Sequence, residues 1–588
     1  MTVLERVKNT PRCDWPVADR ELSGVGNFIG LYGGEHIAAT EFVIGATLVQ
    51  YGCSATDILI GLLIGNFLAV LTFTFLCARI AVDTRLTLYS YLQRVLGSRM
   101  QKVYDLVWGI GFSSLGAAGV CISASAIRRV FRVPIQHAWY PTSIKFVLIV
   151  VVLGAVITLI AANGFEAVAK FASTCVPWMI TLFFLGIVVT LPQLIKAVDF
   201  GQIRSASDLL RLLNEHVWTA KQAEGARMGI GHVIAFAWTC NVAWHFALND
   251  MSLLRFAKNY KYGLTSAVGM YIGHFFAWIS AGIMGATASI LLSSPLAYLD
   301  SGEVTFATLG YSGLIAVIIA GWTTANPTFY RVALSLNAVF KKRNHKQMTY
   351  IAGCLITLAA CFPIVQRASD ILTFLGLAVE GVGAICITEE YIFPKIGYTK
   401  YWSMYKKQEI NPAAAISWGI SIAFVVLMIL TRPLHQNFWF LPNYIIPMVS
   451  YILLAGRMGA REKYPEEEQE EMDYEEALQN YVNNLVPEVK KVKTPKLAAG
   501  MRILSFLDLA AFAGVGIACS LGFIGLELFK TAAFVLSLIY FTCNGASMLT
   551  MYGLKSEIDE RGAKELLKEE YKIDAVPADG KKTVGEKL

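Results

Sequence analysis

The chain has 588 residues, 55% of them hydrophobic and only 16% charged, with a formal net charge of +7. So apolar a composition excludes a soluble globular protein of this size and indicates a multi-pass membrane protein. Its basic residues are dispersed between apolar segments, which suits loops facing anionic lipid headgroups in a bilayer and argues against a nucleic-acid polymer as partner.

Residues 1–24 carry Arg6, Lys8, Arg12 and Arg20 but no short apolar core with a cleavage site, so they read as a cytoplasmic N-terminal segment and not as a secretory signal. Hydropathy then predicts about fourteen spans, near 25–50, 57–78, 104–127, 146–164, 173–192, 228–249, 264–292, 311–338, 349–365, 370–392, 413–431, 438–455, 504–523 and 530–552. The stretch 146–165, for example, contains no Lys, Arg, Asp or Glu and is long enough to cross a hydrocarbon core of about 30 Å as helix. The expected organisation is a five-helix repeat (25–192), an external loop (193–227), a second five-helix repeat (228–392) and spans 11 and 12 (393–455). A charged cytoplasmic insertion (456–503), spans 13 and 14 (504–552) and a charged cytoplasmic tail (553–588) complete it.

Arg79, Arg85, Arg94, Arg99 and Lys102 lie between spans 2 and 3, and Lys341, Lys342, Arg343 and Lys346 between spans 8 and 9. Such loops place both termini in the cytoplasm, with the chain in the plasma (inner) membrane; the loops at 128–145 and 193–227 carry basic residues against that trend. The eleven cysteines form no CxxC pair and no His/Cys cluster, so they read as small buried hydrophobes, with no disulfide, zinc or other cofactor expected.

Within span 1, residues 30–41 read GLYGGEHIAATE: three glycines, a histidine and two carboxylates inside an apolar run. Irregular or charged backbone at membrane depth survives only where it lines a cavity or is buried in protein. Span 6 has a matching break at 231–250, GHVIAFAWTCNVAWHFALND. A break in span 1 answered by one in span 6 points to two inverted five-span repeats with a ligand between the broken helices. Glu35 and His36 read either as groups that bind substrate or carry a proton, or as a structural pair at a helix end. Glu41 and Glu380, both inside spans, are candidates for proton transfer or gating, and His245 is a candidate ligand beside the second break. His274 reads as a packing histidine, and Asp250 and Arg255 as structural or gate residues.

Four stretches carry a resemblance to a known family. They are GATL at 45–48 with LLIGN at 62–66, RVLGS at 94–98 with WGIGFSSLG at 108–116, DMSLLRFAK at 250–258 followed by Gly269 and Gly273, and GWTTANPTFY at 321–330. In this order they resemble the nucleobase–cation symporters of the purine, cytosine, allantoin and hydantoin permease type. The resemblance implies a five-plus-five inverted-repeat core of leucine-transporter type, here with about four additional C-terminal helices. It implies a heterocycle stacked between aromatics of spans 3 and 6, at Phe112 and Trp244, and hydrogen-bonded by amides at Asn241 and Asn326. It also implies a sodium site of span 1 carbonyls at Gly34 and Ile37 facing Ala320, Thr323 and Thr324 of span 8. Paired threonines also satisfy carbonyls in ordinary membrane-helix packing, so both readings of Thr323 and Thr324 stand.

The expected function is cation-coupled uptake of a nucleobase or related small heterocycle, with sodium or protons as the coupling ion. A symporter of the same fold for an amino acid or vitamin is the nearest alternative, and a membrane-embedded sensor or enzyme the alternative of another class. No HExxH or GxSxG motif favours an enzyme. The oligomeric state is not fixed by the sequence.

Overall fold

Backbone groups that cannot reach water must bond within their own segment, so an apolar chain of this kind resolves into helices. The structure, a computed structural model, describes residues 2–221, 228–245, 248–341, 344–363, 368–485 and 494–573, and their side chains except those at 39, 241–245, 368–372, 552 and 554–573. All fourteen expected spans are helical among the described residues, and nine helices are long and apolar enough to cross a membrane. Spans 1, 6, 8, 9 and 10 fall outside that set. Spans 1 and 6 do so because they are broken: span 1 is Val25–His36 and Ala39–Gln50, and span 6 is Ile230–His245 and Met251–Leu254.

Glycine sets where the broken span 1 touches its neighbours. A Cβ on Gly34 would lie 2.6 Å from the Cβ of Ala172 in span 5 (Gly164–Ala197), and one on Gly30 would strike Ser173. In span 7 (Tyr260–Leu291), a Cβ on Gly273 would fall 2.0 Å from the carbonyl oxygen of His36, and one on Gly269 would meet the His36 ring at 2.6 Å. Such contact distances leave no room for a side chain, as at other close crossings of membrane helices. Spans 3 (Ser98–Val130) and 8 (Tyr311–Val339) cross by the same device, where a Cβ on Gly321 would meet Ser123 and the Gly119 carbonyl. Residues 268–277 of span 7 are a π-helical stretch, a form often found at functional sites.

Spans 13 (Lys496–Ser520) and 14 (Leu526–Ile573) form a hairpin that packs on span 5. Trp178 of span 5 lies between Phe512, at 6.2 Å, and Phe541, at 4.9 Å between ring centroids. The Tyr540 hydroxyl donates to the Thr174 carbonyl at 2.7 Å, and the Asn544 amide to the same oxygen at 3.2 Å.

The insertion after span 12, expected as a charged cytoplasmic segment, holds a helix, Pro465–Leu485, docked on the N-terminal helix Val3–Asn9. Val7, Ala18, Tyr474, Leu478 and Val482 give the two a small apolar core of their own, which the run of glutamates obscured in the sequence. Arg6 pairs with Glu471 at 2.6 Å, and Arg94, between spans 2 and 3, pairs with Glu475 at 2.5 Å. Asp14 receives hydrogen bonds from Lys341, at 2.7 Å, and Gln93, at 2.9 Å, so the N-terminal segment ties to the same end of the bundle. Residues 574–588 of the expected charged tail lie outside the described residues.

Candidate functional site

Span 1 leaves helical geometry at Ile37 (φ −96°, ψ 67°) and Ala38 (φ −110°, ψ 168°). The Ile37 N–H bonds the Gly33 carbonyl at 2.9 Å, and the Glu41 N–H bonds that of Ala38 at 3.2 Å. Between them the regular ladder stops, and the His36 carbonyl lies against Gly273 of span 7. Span 6 is helical over Ile230–His245 and, at the turn of residues 248–250, where Leu248 has a φ of +61°, departs from helix before Met251–Leu254.

A cavity of about 750 Å³ lies against the break, walled by Glu35, His36 and Glu41 of span 1, Phe112 of span 3, Cys240 of span 6 and Thr324 of span 8. Its lining reaches Gln136, Tyr298 and Gln436, which belong to connections at the end of the bundle opposite the N-terminal segment. A volume of this size with mostly apolar walls and a few convergent polar groups suits one small organic solute.

Toward the other end a charged network closes the floor. The Arg331 guanidinium of span 8, fully buried, donates to both oxygens of Glu35, one of them at 3.0 Å, and to Asp250 of span 6 at 2.7 Å. The Tyr32 hydroxyl donates to the second oxygen of Asp250 at 3.0 Å. Planar, forked donors suit such bidentate capture of carboxylates. Spans 1, 6 and 8 are thus tied below the cavity. The Phe112 ring lies above, its centroid 5.7 Å from the guanidinium, and stacks on Trp108 at 4.4 Å with an interplanar angle of 20°.

On the wall, His36 Nδ1 lies 3.1 Å from Nε2 of His274 in span 7, and the same Nε2 lies 3.7 Å from Glu41 Oε1. The Trp278 indole N–H and the Thr40 hydroxyl, the latter at 3.1 Å, donate to Glu41. All three ionisable groups line the cavity.

Facing the span 1 break, the hydroxyls of Thr323 and Thr324 donate to the Ala320 carbonyl at 3.1 and 2.9 Å. Each hydroxyl oxygen keeps lone pairs for a cation, and a Cβ on Gly34 would lie 3.6 Å from that of Thr323. Neutral oxygens from two helices are a donor set fit for a hard monovalent ion such as sodium. Among the described residues, no group of three or more His, Cys, Asp or Glu could hold another metal.

The side chains of Asn241, Trp244 and His245 lie outside the described residues. Asn326 is buried in span 8 with no hydrogen-bond partner on either amide atom among the described residues, and the cavity lining does not include it. Glu380, buried in span 10 (Ala368–Ile387), accepts from Asn443 of span 12 at 3.0 Å, a partner the sequence did not suggest.

Sequence reasoning missed Arg331, His274 and Trp278. The signal for Arg331 was present: an arginine inside span 8 meets the rule that singled out Glu35, that ionisable groups within spans are rare and functional. His274 was set aside as packing, although it follows Gly273, which brings the His36 backbone against span 7.

The broken spans 1 and 6, the cavity between them and the oxygen set on span 8 define a multi-pass membrane protein with the fold of a symporter. No family model and no curated protein matches the chain by sequence. Solved structures do. Mhp1, a nucleobase-cation-symport-1 family transporter in a closed conformation with bromovinylhydantoin bound, is similar over 80% of this chain and 99% of its own, with a TM-score of 0.60 at 13% identity. The inward-facing conformation of Mhp1 is similar over 78% and 96%, with a TM-score of 0.56 at 15% identity. A substrate-bound, outward-open Na+-coupled sialic acid symporter is similar over 73% and 89%, with a TM-score of 0.53 at 15% identity. The core is therefore the five-plus-five inverted repeat of leucine-transporter type expected from the resemblance, with helices added at the C-terminal end.

Proposed function

We propose that this chain is a divergent nucleobase–cation symporter, which carries a nucleobase or related small heterocycle across the plasma (inner) membrane with sodium or protons, both termini in the cytoplasm. The observation that carries the reading is a cavity at the span 1 break, open at one end and shut at the other by the Arg331 network. That is one of the two states alternating access requires. The basic loops between spans 2 and 3 and between spans 8 and 9, the N-terminal segment and the docked insertion lie at the shut end, which supports reading it as the cytoplasmic one by the positive-inside rule.

In this reading the substrate ring stacks on Phe112, held flat by Trp108, while His36, Glu35 or Asn241 reads its edge, with Trp244 and His245 of span 6 closing the other face. Stacking supplies apolar burial and a few fixed polar groups supply specificity. Sodium binds between Gly34 and Ile37 carbonyls and Ala320, Thr323 and Thr324, joining span 1 to span 8. Opening inward requires the Arg331 contacts to Glu35 and Asp250 to part, and Glu380, tied to Asn443, steadies span 10 against span 12 as the halves rock.

A ligand that binds only the folded protein must raise its melting temperature. The test is a thermal-shift panel of purines, pyrimidines, hydantoins, allantoin, amino acids and vitamins, with sodium or with choline. A heterocycle is expected to stabilise the protein, and more so in sodium; stabilisation by an amino acid or vitamin alone would overturn the substrate class.

A further inference from the structure

We propose that Glu41, His274 and His36 form a proton-binding site on the cavity wall, separate from the span 1–span 8 oxygen set, through which transport couples to a proton gradient. The inference rests on the transport reading above and deepens it by naming a second coupling ion and the groups that hold it.

The geometry is that of a shared proton. His274 Nε2 lies between His36 Nδ1, at 3.1 Å, and Glu41 Oε1, at 3.7 Å. A neutral imidazole has one N–H, so His274 offers at this nitrogen either a donor or a lone pair. If His36 donates to it, the single lone pair at His274 Nε2 is engaged, with the Glu41 carboxylate close by, so a proton taken up by Glu41 removes the repulsion. A proton held at Nε2 instead requires His36 to carry its own proton on Nε2 and leave Nδ1 as an acceptor. The Trp278 indole fixes both members: it donates to Glu41 and stacks on the His274 ring at 4.5 Å and 11°. All three groups are almost fully buried yet line the cavity, so a proton arrives with solvent from the open end.

The local charge calls for cations. Around the cluster stand Tyr32 and Glu35 from span 1, Cys77 from span 2, Cys240 and Asp250 from span 6 and Arg331 from span 8, while span 3 presents Phe112. Among these described residues one guanidinium, which itself pairs with Glu35 and Asp250, faces three carboxylates once Glu41 is included. Uncompensated charge at membrane depth is costly. A proton at the cluster adds positive charge beside these carboxylates, as sodium does at the oxygen set, and the proton sits on the cavity surface where substrate arrival can close over it.

The test uses the full chain in proteoliposomes with equal sodium on both faces and a pH gradient, acid on the side of the cavity mouth. The probes are radiolabelled cytosine, uracil, hypoxanthine and hydantoin, each also measured in counterflow, which needs no gradient. Wild-type protein is expected to accumulate at least one probe above its external concentration. In Glu41→Gln and in His274→Gln the ratio of gradient-driven accumulation to counterflow is expected to fall at least tenfold. Counterflow without any response to the pH gradient, or an unchanged ratio in a variant recovered as folded protein, would overturn the proton site and leave the transport reading standing. Absence of counterflow for every probe would overturn the transport reading itself.

Discussion

Replacing Arg331 by methionine keeps the length of the side chain and removes the charge that holds Glu35 and Asp250 together in the floor. Arg331 and Asp250 are fully buried, and the guanidinium bonds Glu35 at 3.0 Å and Asp250 at 2.7 Å, with a second contact to Glu35. Breaking a buried pair by deleting one partner costs about 3–5 kcal/mol, because the remaining charge stays desolvated. With an unfolding entropy of about 2.1 cal/mol/K per residue, the loss lowers the melting temperature of a chain this long by roughly 2–4 °C if it unfolds as one unit. The assay is thermal unfolding in detergent at neutral pH, comparing Arg331→Met with Arg331→Met/Glu35→Gln. The double variant is expected to recover part of the loss, since it removes a carboxylate that no longer has a partner. An Arg331→Met protein that melts with wild type, or a double variant that melts below the single one, would refute the floor as an ion-paired lock.

Other outcomes follow from single contacts. Gly273→Ala places a methyl group 2.0 Å from the His36 carbonyl and is expected to lower the melting temperature and abolish ligand stabilisation, whereas Gly419→Ala, with nothing within 4 Å, is expected to leave both intact. Thr324→Val removes a hydroxyl but keeps the side-chain shape; the melting-temperature rise on adding sodium is expected to shrink or vanish, and an undiminished rise would move the ion elsewhere. Tyr540→Phe removes the hydrogen bond to the Thr174 carbonyl and the one accepted from Asn544, and is expected to cost about 1–2 kcal/mol, read as earlier proteolysis of the C-terminal hairpin.

The sequence was most legible where physics leaves few choices. Apolar runs long enough to cross a bilayer must be helices, so all fourteen were found; glycine and charge inside a span must mark a break, so spans 1 and 6 were found with their cavity. It was least legible where a residue's meaning depends on what faces it across the bundle. Glu35 carries two readings in the sequence, ligand or structural pair, and only the approach of Arg331, 296 positions away, assigns it to the floor. His274 acquires its place from Gly269 and Gly273, whose missing side chains let span 7 lie against the break. The helix at 465–485 was obscured because its few apolar residues form a face only when the N-terminal helix covers them. The position of spans 13 and 14 on span 5 is carried by scattered single contacts, through Trp178 and Thr174, that no local pattern announces.

The central claim is that the cavity beside Gly34, Glu35 and His36 is the substrate path of a cation-driven transporter. Uptake of a labelled purine, pyrimidine or hydantoin into proteoliposomes under an inward sodium gradient, at equal pH inside and out and then with the sodium gradient collapsed by an ionophore, tests it most directly. The account predicts that at least one heterocycle accumulates above its external concentration and that the ionophore returns it to equilibrium. Equilibration of every compound at the same level with and without an ion gradient, whether of sodium or of protons, would contradict it.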